Sequence, residues 1–301
     1  MQLEDLKNLN STEGKIYFQY DLKKLNWFNI GGKAKIFFKA ETLKGLVEFL
    51  KVYKKRGKIF VLGAGSNVLI TDGVFDGAVI KLGKNFQNLS ILNENMIIAG
   101  CGITQKKLSE FSRENNMAGM EFLSCIPGSV GGGIRMNSGC FDREFKDILI
   151  SIQCIDFDGT VKMIDKKKIN FYYRGSDISK DLIFLSATFK GEQGDRTKIQ
   201  AKMIELKEKK ENAQPTKVKT GGSTFKNPKD QTSKKVWELI KEAVPNSLTF
   251  GDATISDKHS NFFINKKNAS FDDMKRLITT VKDVVKEKTG VEINPEIVIV
   301  E

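Results

Sequence analysis

The stretch Cys125-Ile126-Pro127-Gly128-Ser129-Val130-Gly131-Gly132-Gly133-Ile134-Arg135-Met136-Asn137-Ser138-Gly139 carries five glycines and one charge, with no carboxylate and no histidine. Glycine weakens a helix or strand by roughly 0.5–1 kcal/mol per residue relative to alanine, so a run this dense is kept where bare backbone has a use. Without a Cβ, successive N–H groups can turn together toward an anion and close on it. A second glycine loop, Gly63-Ala64-Gly65-Ser66-Asn67, follows the apolar run from Lys58 to Leu62. Two such loops in one domain suit a pyrophosphate held from both sides. A single G-x-G is more simply a tight turn between strands, but the longer stretch shifts the balance toward a ligand. Neither loop fits a dinucleotide fingerprint or a Walker loop. Gly65 leads into the strand-like Val68-Leu69-Ile70 instead of a helix, and no G-x-x-x-x-G-K-[ST] occurs.

The composition narrows the class. With 301 residues, 40% hydrophobic and 29% charged, the chain is globular and long enough for two domains. No run of eighteen apolar residues offers a membrane span, and the first residues, MQLEDLKNLNSTEGK, lack an export signal. A cytoplasmic protein is expected. The net charge of +12 raises a nucleic-acid reading, but the lysines are dispersed and no aromatic residues interleave with them, so no nucleic-acid partner is expected. Cys101, Cys125, Cys140 and Cys154 stand fourteen or more residues apart, and His259 is the only histidine. No metal site is expected, and a Ser/His/Asp triad is improbable on supply alone.

Periodicity places helices at Glu41 to Arg56, Thr104 to Asn115, Arg196 to Glu211, Ser233 to Val244 and Phe271 to Lys288, the last with capping-box spacing at Ser270 and Asp273 and Gly290 as its stop. Strands are expected at Lys58 to Leu62, Val68 to Thr71, Ala78 to Leu82, Ser90 to Leu92, Met96 to Ala99, Leu182 to Phe189, Asn261 to Ile264 and Glu296 to Val300. Alternation from Asp147 to Ile164 around Asp158-Gly159 predicts a β-hairpin. The segment before Glu41 reads as polar. The fold class is α+β in both halves.

At the glycine stretch the residues resemble a known family. Gly119-Met120-Glu121-Phe122, Ile126-Pro127-Gly128-Ser129-Val130-Gly131-Gly132 and Met136-Asn137-Ser138-Gly139 are similar to the corresponding segments of the UDP-N-acetylenolpyruvoylglucosamine reductases, also called UDP-N-acetylmuramate dehydrogenases. The resemblance continues in order through Trp27 to Ala34, Gly63 to Asn67, Tyr173-Arg174-Gly175-Ser176, Gln214-Pro215, Gly222 to Pro228, Gly251-Asp252-Ala253, Ser256 to Phe262 and Pro295-Glu296. The short segment from Arg174 to Pro215 is similar to the type II form.

The resemblance implies a vanillyl-alcohol-oxidase-type FAD-binding domain over 1–196 and a smaller α+β substrate-binding domain over 197–301. It implies non-covalent FAD held by Gly63, Ala64, Gly65, Ser66, Asn67, Ile126, Pro127, Gly128, Ser129, Gly131, Gly132 and Asn137. NADPH would be the reductant and UDP-N-acetylglucosamine enolpyruvate the substrate, in peptidoglycan precursor synthesis for the cell wall. A monomer is expected. Arg174, Ser223 and Glu296 would be catalytic: a cation for the charge that builds beside the substrate carboxylate, a proton donor to C2, and a carboxylate sharing the network. Tyr173, Lys226 and Asn227 would bind substrate. His259 and Asn261 take supporting places only. Arg135 could contact the pyrophosphate or point to solvent. The rivals are an oxidase of alcohols or sugars, for which Cys101 and Cys125 offer the only covalent flavin tethers, and a nucleotide-sugar or nucleic-acid binding protein without turnover.

Overall fold

The computed structural model describes residues 13–53 and 56–301. The export reading of the first residues lies largely outside them, as do residues 54 and 55 near the end of the first expected helix. The described residues form two compact units. The first contains 13–18, 35–64 and 76–209, the second 19–34, 65–75 and 210–301. The sequence suggests one cut after residue 196, whereas two short N-terminal segments cluster with the C-terminal part. The reason lies in the backbone: the last strand, Val298–Val300, pairs in parallel with Val68–Ile70 and so binds residues 65–75 into the second unit.

In the first unit a five-stranded antiparallel sheet has the order Val161–Asp165, Leu149–Asp156, Leu182–Lys190, Met96–Gly100, Leu89–Asn93. The expected hairpin is its edge. Asp156 accepts from the N–H groups of Asp158 and Thr160, and Gly159 takes the left-handed conformation that the turn needs. Ile97, Ile152 and Phe189 pack from this sheet with Leu108 of the helix Gln105–Glu114 and with Val130 and Ile134. A four-stranded sheet has the order Gly14–Asp21, Lys33–Ala40, Val74–Leu82, Lys58–Val61, with the last two parallel. Its first two strands carry a polar residue at nearly every second position, which hides them in a reading by apolar content. The helix Leu43–Tyr53 covers a core in which Phe38 and Phe49 stack at 4.2 Å.

The second unit packs the helices Val236–Ala243 and Phe271–Thr289 with the antiparallel strands Thr249–Phe250, Ala253–Ile255 and Phe263–Asn265. Met274, Leu277, Ile278, Val281 and Val285 recur at helical spacing and are buried, each worth about 1.5–3 kcal/mol of transfer free energy. The predicted caps are present. Ser270 and Asp273 exchange hydrogen bonds at 3.0 Å, and Gly290 ends the helix in the left-handed conformation at φ +73°. Among the described residues no helix is long and apolar enough to cross a membrane.

Candidate functional site

The glycine stretch is not a loop throughout. Val130–Arg135 forms a short helix, with the Ser129 hydroxyl accepting from the Gly132 N–H at 3.3 Å. The three glycines inside it have different reasons to be there. A Cβ on Gly133 would enter the Phe145 ring, and one on Gly131 would press on Cys101 at 3.1 Å, so both are set by packing. Gly132 is exposed, and a Cβ there would meet only the capping hydroxyl at 3.3 Å. Packing among the described residues therefore gives no reason for a glycine at this position.

The two glycine-bearing segments come together in the first unit. The place of a Cβ on Gly63 is filled by the Ser129 hydroxyl, so only glycine permits the approach. Gly128 has φ +133° and gives its carbonyl to the Gln105 N–H at 3.0 Å. Its own N–H and that of Ser129 find no acceptor among the described residues. Ile126 is half-buried against the core, Pro127 is exposed and Ala64 is half-buried. Bare backbone, free N–H groups and an exposed glycine fit the diphosphate of a flavin dinucleotide.

Arg135 turns inward. Its guanidinium donates to the carbonyls of Ile178, Ser179 and Leu182 at 2.7–3.0 Å and lies over the Phe184 ring at 4.2 Å. Burial lowers its pKa to about 10. Its role is to tie residues 178–182 to the sheet. Asn137 is fully buried, and its amide group bonds to Glu144, to the Tyr172 carbonyl and to the Lys146 N–H. Its side chain is thereby committed to positioning the chain.

Arg174 occupies the turn between Phe171–Tyr172 and Gly175–Ser176, with its backbone at φ +57°. A non-glycine residue held there costs on the order of 1–3 kcal/mol, and such strain gathers at functional positions. Its guanidinium donates to the Gly139 carbonyl at 2.9 Å, stands 3.9 Å from Glu144 Oε1 and lies 4.9 Å from the centre of the Tyr173 ring. Glu144 is the residue that sequence reasoning missed. It receives Arg174, Asn137 and Lys146 together, and the only signal for it was its spacing from Asp147, with which it forms a capping box.

In the second unit Ser223 and Glu296 stand on neighbouring segments. Ser223 pairs with Phe262 and Phe225 with Pro295, while the Glu296 N–H donates to the Thr224 carbonyl at 2.8 Å. The Asn67 amide donates to the Glu296 carbonyl at 3.0 Å, and the Val298 N–H returns to the Asn67 carbonyl. Asn67 thereby orders the backbone that carries Glu296. Gly65, at φ +69°, gives its carbonyl to Trp27, and a Cβ on it would run into the Leu25 carbonyl. Ser66, Ser223 and Lys226 are half-buried. The Asn227 side-chain oxygen accepts from the Val236 N–H at 2.9 Å, at the start of a helix. His259 packs between Trp237 and Phe262 and accepts on Nδ1 from the Asn261 N–H at 3.2 Å, a satisfied structural histidine whose pKa burial lowers.

Comparison with known proteins agrees with this geometry. The FAD binding domain family matches residues 34–165, and the family described as UDP-N-acetylenolpyruvoylglucosamine reductase, C-terminal domain, matches residues 214–300. These matches and the mixed architecture define an α+β flavoprotein, with the vanillyl-alcohol-oxidase-type FAD-binding domain expected from the sequence and a separate C-terminal domain. Similar proteins named UDP-N-acetylenolpyruvoylglucosamine reductase occur in Pelagibacter ubique, 56% identical over 99% of both chains, and in Rickettsia bellii, 41% identical over 96% of this chain and 95% of the relative. The crystal structure of the enzyme of that name from Thermus caldophilus matches with a TM-score of 0.81 at 27% identity, covering 96% of this chain and 99% of the other. The chain belongs to the UDP-N-acetylenolpyruvoylglucosamine reductase family.

Proposed function

We propose that this chain reduces the enolpyruvyl group of UDP-N-acetylglucosamine enolpyruvate to give UDP-N-acetylmuramate, with NADPH as reductant and FAD as cofactor, in the cytoplasmic synthesis of peptidoglycan precursors. The observation that carries this is the 56% identity to a reductase of that name over 99% of both chains. The short segment between Arg174 and Pro215 supports the type II form.

FAD, when bound, would supply the redox chemistry that links NADPH to C3 of the enolpyruvyl ether. Gly63, Ala64, Gly65, Ser66, Ile126, Pro127, Gly128, Ser129, Gly131 and Gly132 hold it through backbone and small side chains, and Asn67 and Asn137 order the backbone around the site. Negative charge then builds at C2 and spreads into the substrate carboxylate, and a fixed cation stabilises it. Arg174 is that cation, fixed by the Gly139 carbonyl and Glu144. The Ser223 hydroxyl gives its proton to C2. Glu296 stabilises the same charge distribution through its hydrogen bonds, and Tyr173, Lys226 and Asn227 bind the nucleotide sugar. A serine is a weak acid in water, so this proton transfer requires a water-poor site. The covalent-flavin rival fares worse: Cys101 and Cys125 are buried, and burial pushes the Cys101 thiol far above its ordinary range.

The purified protein is expected to be yellow, to release FAD on denaturation and to turn over NADPH, beyond the single equivalent that reduces its flavin, only when the enolpyruvyl substrate is present. A colourless protein that cannot be reconstituted with FAD overturns this reading. NADPH-independent oxidation of an alcohol would favour the oxidase instead.

A further inference from the structure

The strand Val74–Leu82 carries one cation that the roles above leave without work. Lys81 is half-buried, and its Nζ donates to the Gly63 carbonyl at 2.6 Å. No carboxylate among the described residues pairs with it. The charge that does act on it is another cation, Lys39, whose own ammonium is paired with Glu41 at 2.5 Å. Burial and Lys39 both push the Lys81 ammonium below its ordinary pKa. Withdrawing an ammonium from water without a counter-charge is costly, and such groups are normally paired.

The position narrows what the missing anion is. Gly63 is the glycine whose Cβ space is filled by the Ser129 hydroxyl, so ammonium, Gly63 carbonyl and Ser129 stand where the two glycine-bearing segments meet. An ammonium has three N–H donors and Gly63 takes one. The backbone N–H groups nearby are neutral dipoles, which orient a diphosphate without supplying a full positive charge. A lysine supplies that charge, as a compact cation.

We propose that Lys81 is a cofactor-binding residue whose ammonium pairs with the diphosphate of FAD. This rests on the FAD reading above and adds a residue to it. Lys81 holds the Gly63 carbonyl in the apoprotein and meets the phosphate charge when the cofactor binds.

The test uses the full-length chain stripped of flavin and reconstituted. Lys81→Met keeps the aliphatic stem and removes the charge. It is expected to weaken FAD binding by about 10- to 100-fold, the usual worth of a charge-assisted hydrogen bond. Riboflavin, which has no diphosphate, is expected to bind both proteins equally. The apoprotein melting temperature is expected to stay level or rise, because a half-buried charge without a counter-charge is gone. Equal FAD affinity in wild type and Lys81→Met overturns the role of Lys81 and leaves the FAD reading standing. A melting temperature that falls, with FAD and riboflavin losing affinity alike, shows that Lys81 only braces Gly63 and also overturns it. A wild-type chain that takes up no FAD overturns the reading on which the proposal rests.

Discussion

The side chain of Asn261 closes a ring with the backbone of Phe225. Its oxygen accepts from the Phe225 N–H at 2.9 Å and its nitrogen donates to the Phe225 carbonyl at 2.9 Å. The Thr224 N–H donates to the Asn261 carbonyl, and the Glu296 N–H donates to the Thr224 carbonyl. One buried asparagine thus fixes the segment beginning at Ser223 and, through Thr224, the segment bearing Glu296. Asn261→Ala leaves two buried backbone groups of Phe225 unpaired, at about 1–3 kcal/mol each. The expected loss is about 2–6 kcal/mol, read from urea unfolding of the two proteins. Turnover should fall too, because Ser223, the proposed proton donor, loses its fixed place. A variant as stable and as active as wild type would remove Asn261 from this role.

Ser223→Ala separates the two halves of the reaction. Reduction of the bound flavin by NADPH should be unchanged in stopped-flow absorbance, since that step needs no proton from Ser223. Reoxidation by the enolpyruvyl substrate should slow by ~10²-fold or more, the usual cost of a lost general acid. Equal losses in both half-reactions would show that Ser223 acts elsewhere.

His259 gives stability a pH dependence of known sign. Burial lowers its pKa below the ordinary 6.5, so in the window between the lowered native value and 6.5 the unfolded chain binds more protons. Its contribution is fully present above pH 6.5 and is lost as pH falls through that window. His259→Gln should flatten this part of the stability–pH curve relative to wild type. Parallel curves for the two proteins would assign the dependence to other groups.

The long elements were legible because each carries several agreeing signals. Phe271–Thr289 has a 3.6-residue apolar stripe, a capping box and a terminal glycine, and all three are present. The strands Gly14–Asp21 and Lys33–Ala40 were not legible, because sheet membership there comes from neighbours distant in sequence and polar residues line their exposed positions. The site divides in the same way. Ser129 and Gly63 were readable from local pattern, whereas the parts of Glu144 and Lys81 depend on Arg174 and Gly63, about thirty and twenty positions away, that folding brings to them. Arg135 shows the limit most clearly. In a glycine-rich stretch its charge left a pyrophosphate contact and solvent both open, but three carbonyls of another segment occupy it.

Gly132 and Gly133 are adjacent, and their structural reasons are opposite. Gly133→Val would drive a branched side chain into the Phe145 ring within the main core, and overpacking of this kind costs typically about 1–3 kcal/mol. Gly132→Val meets only the Ser129 hydroxyl at 3.3 Å on an exposed face, so the apoprotein should keep its fold and its melting temperature. Flavin is what it should lose, because a branched Cβ obstructs backbone approach to the diphosphate. Thermal melts of both apoproteins and FAD titrations followed by fluorescence quenching distinguish the two effects. If Gly132→Val unfolds as readily as Gly133→Val, its glycine serves packing; if it binds FAD like wild type, the cofactor does not pass over it.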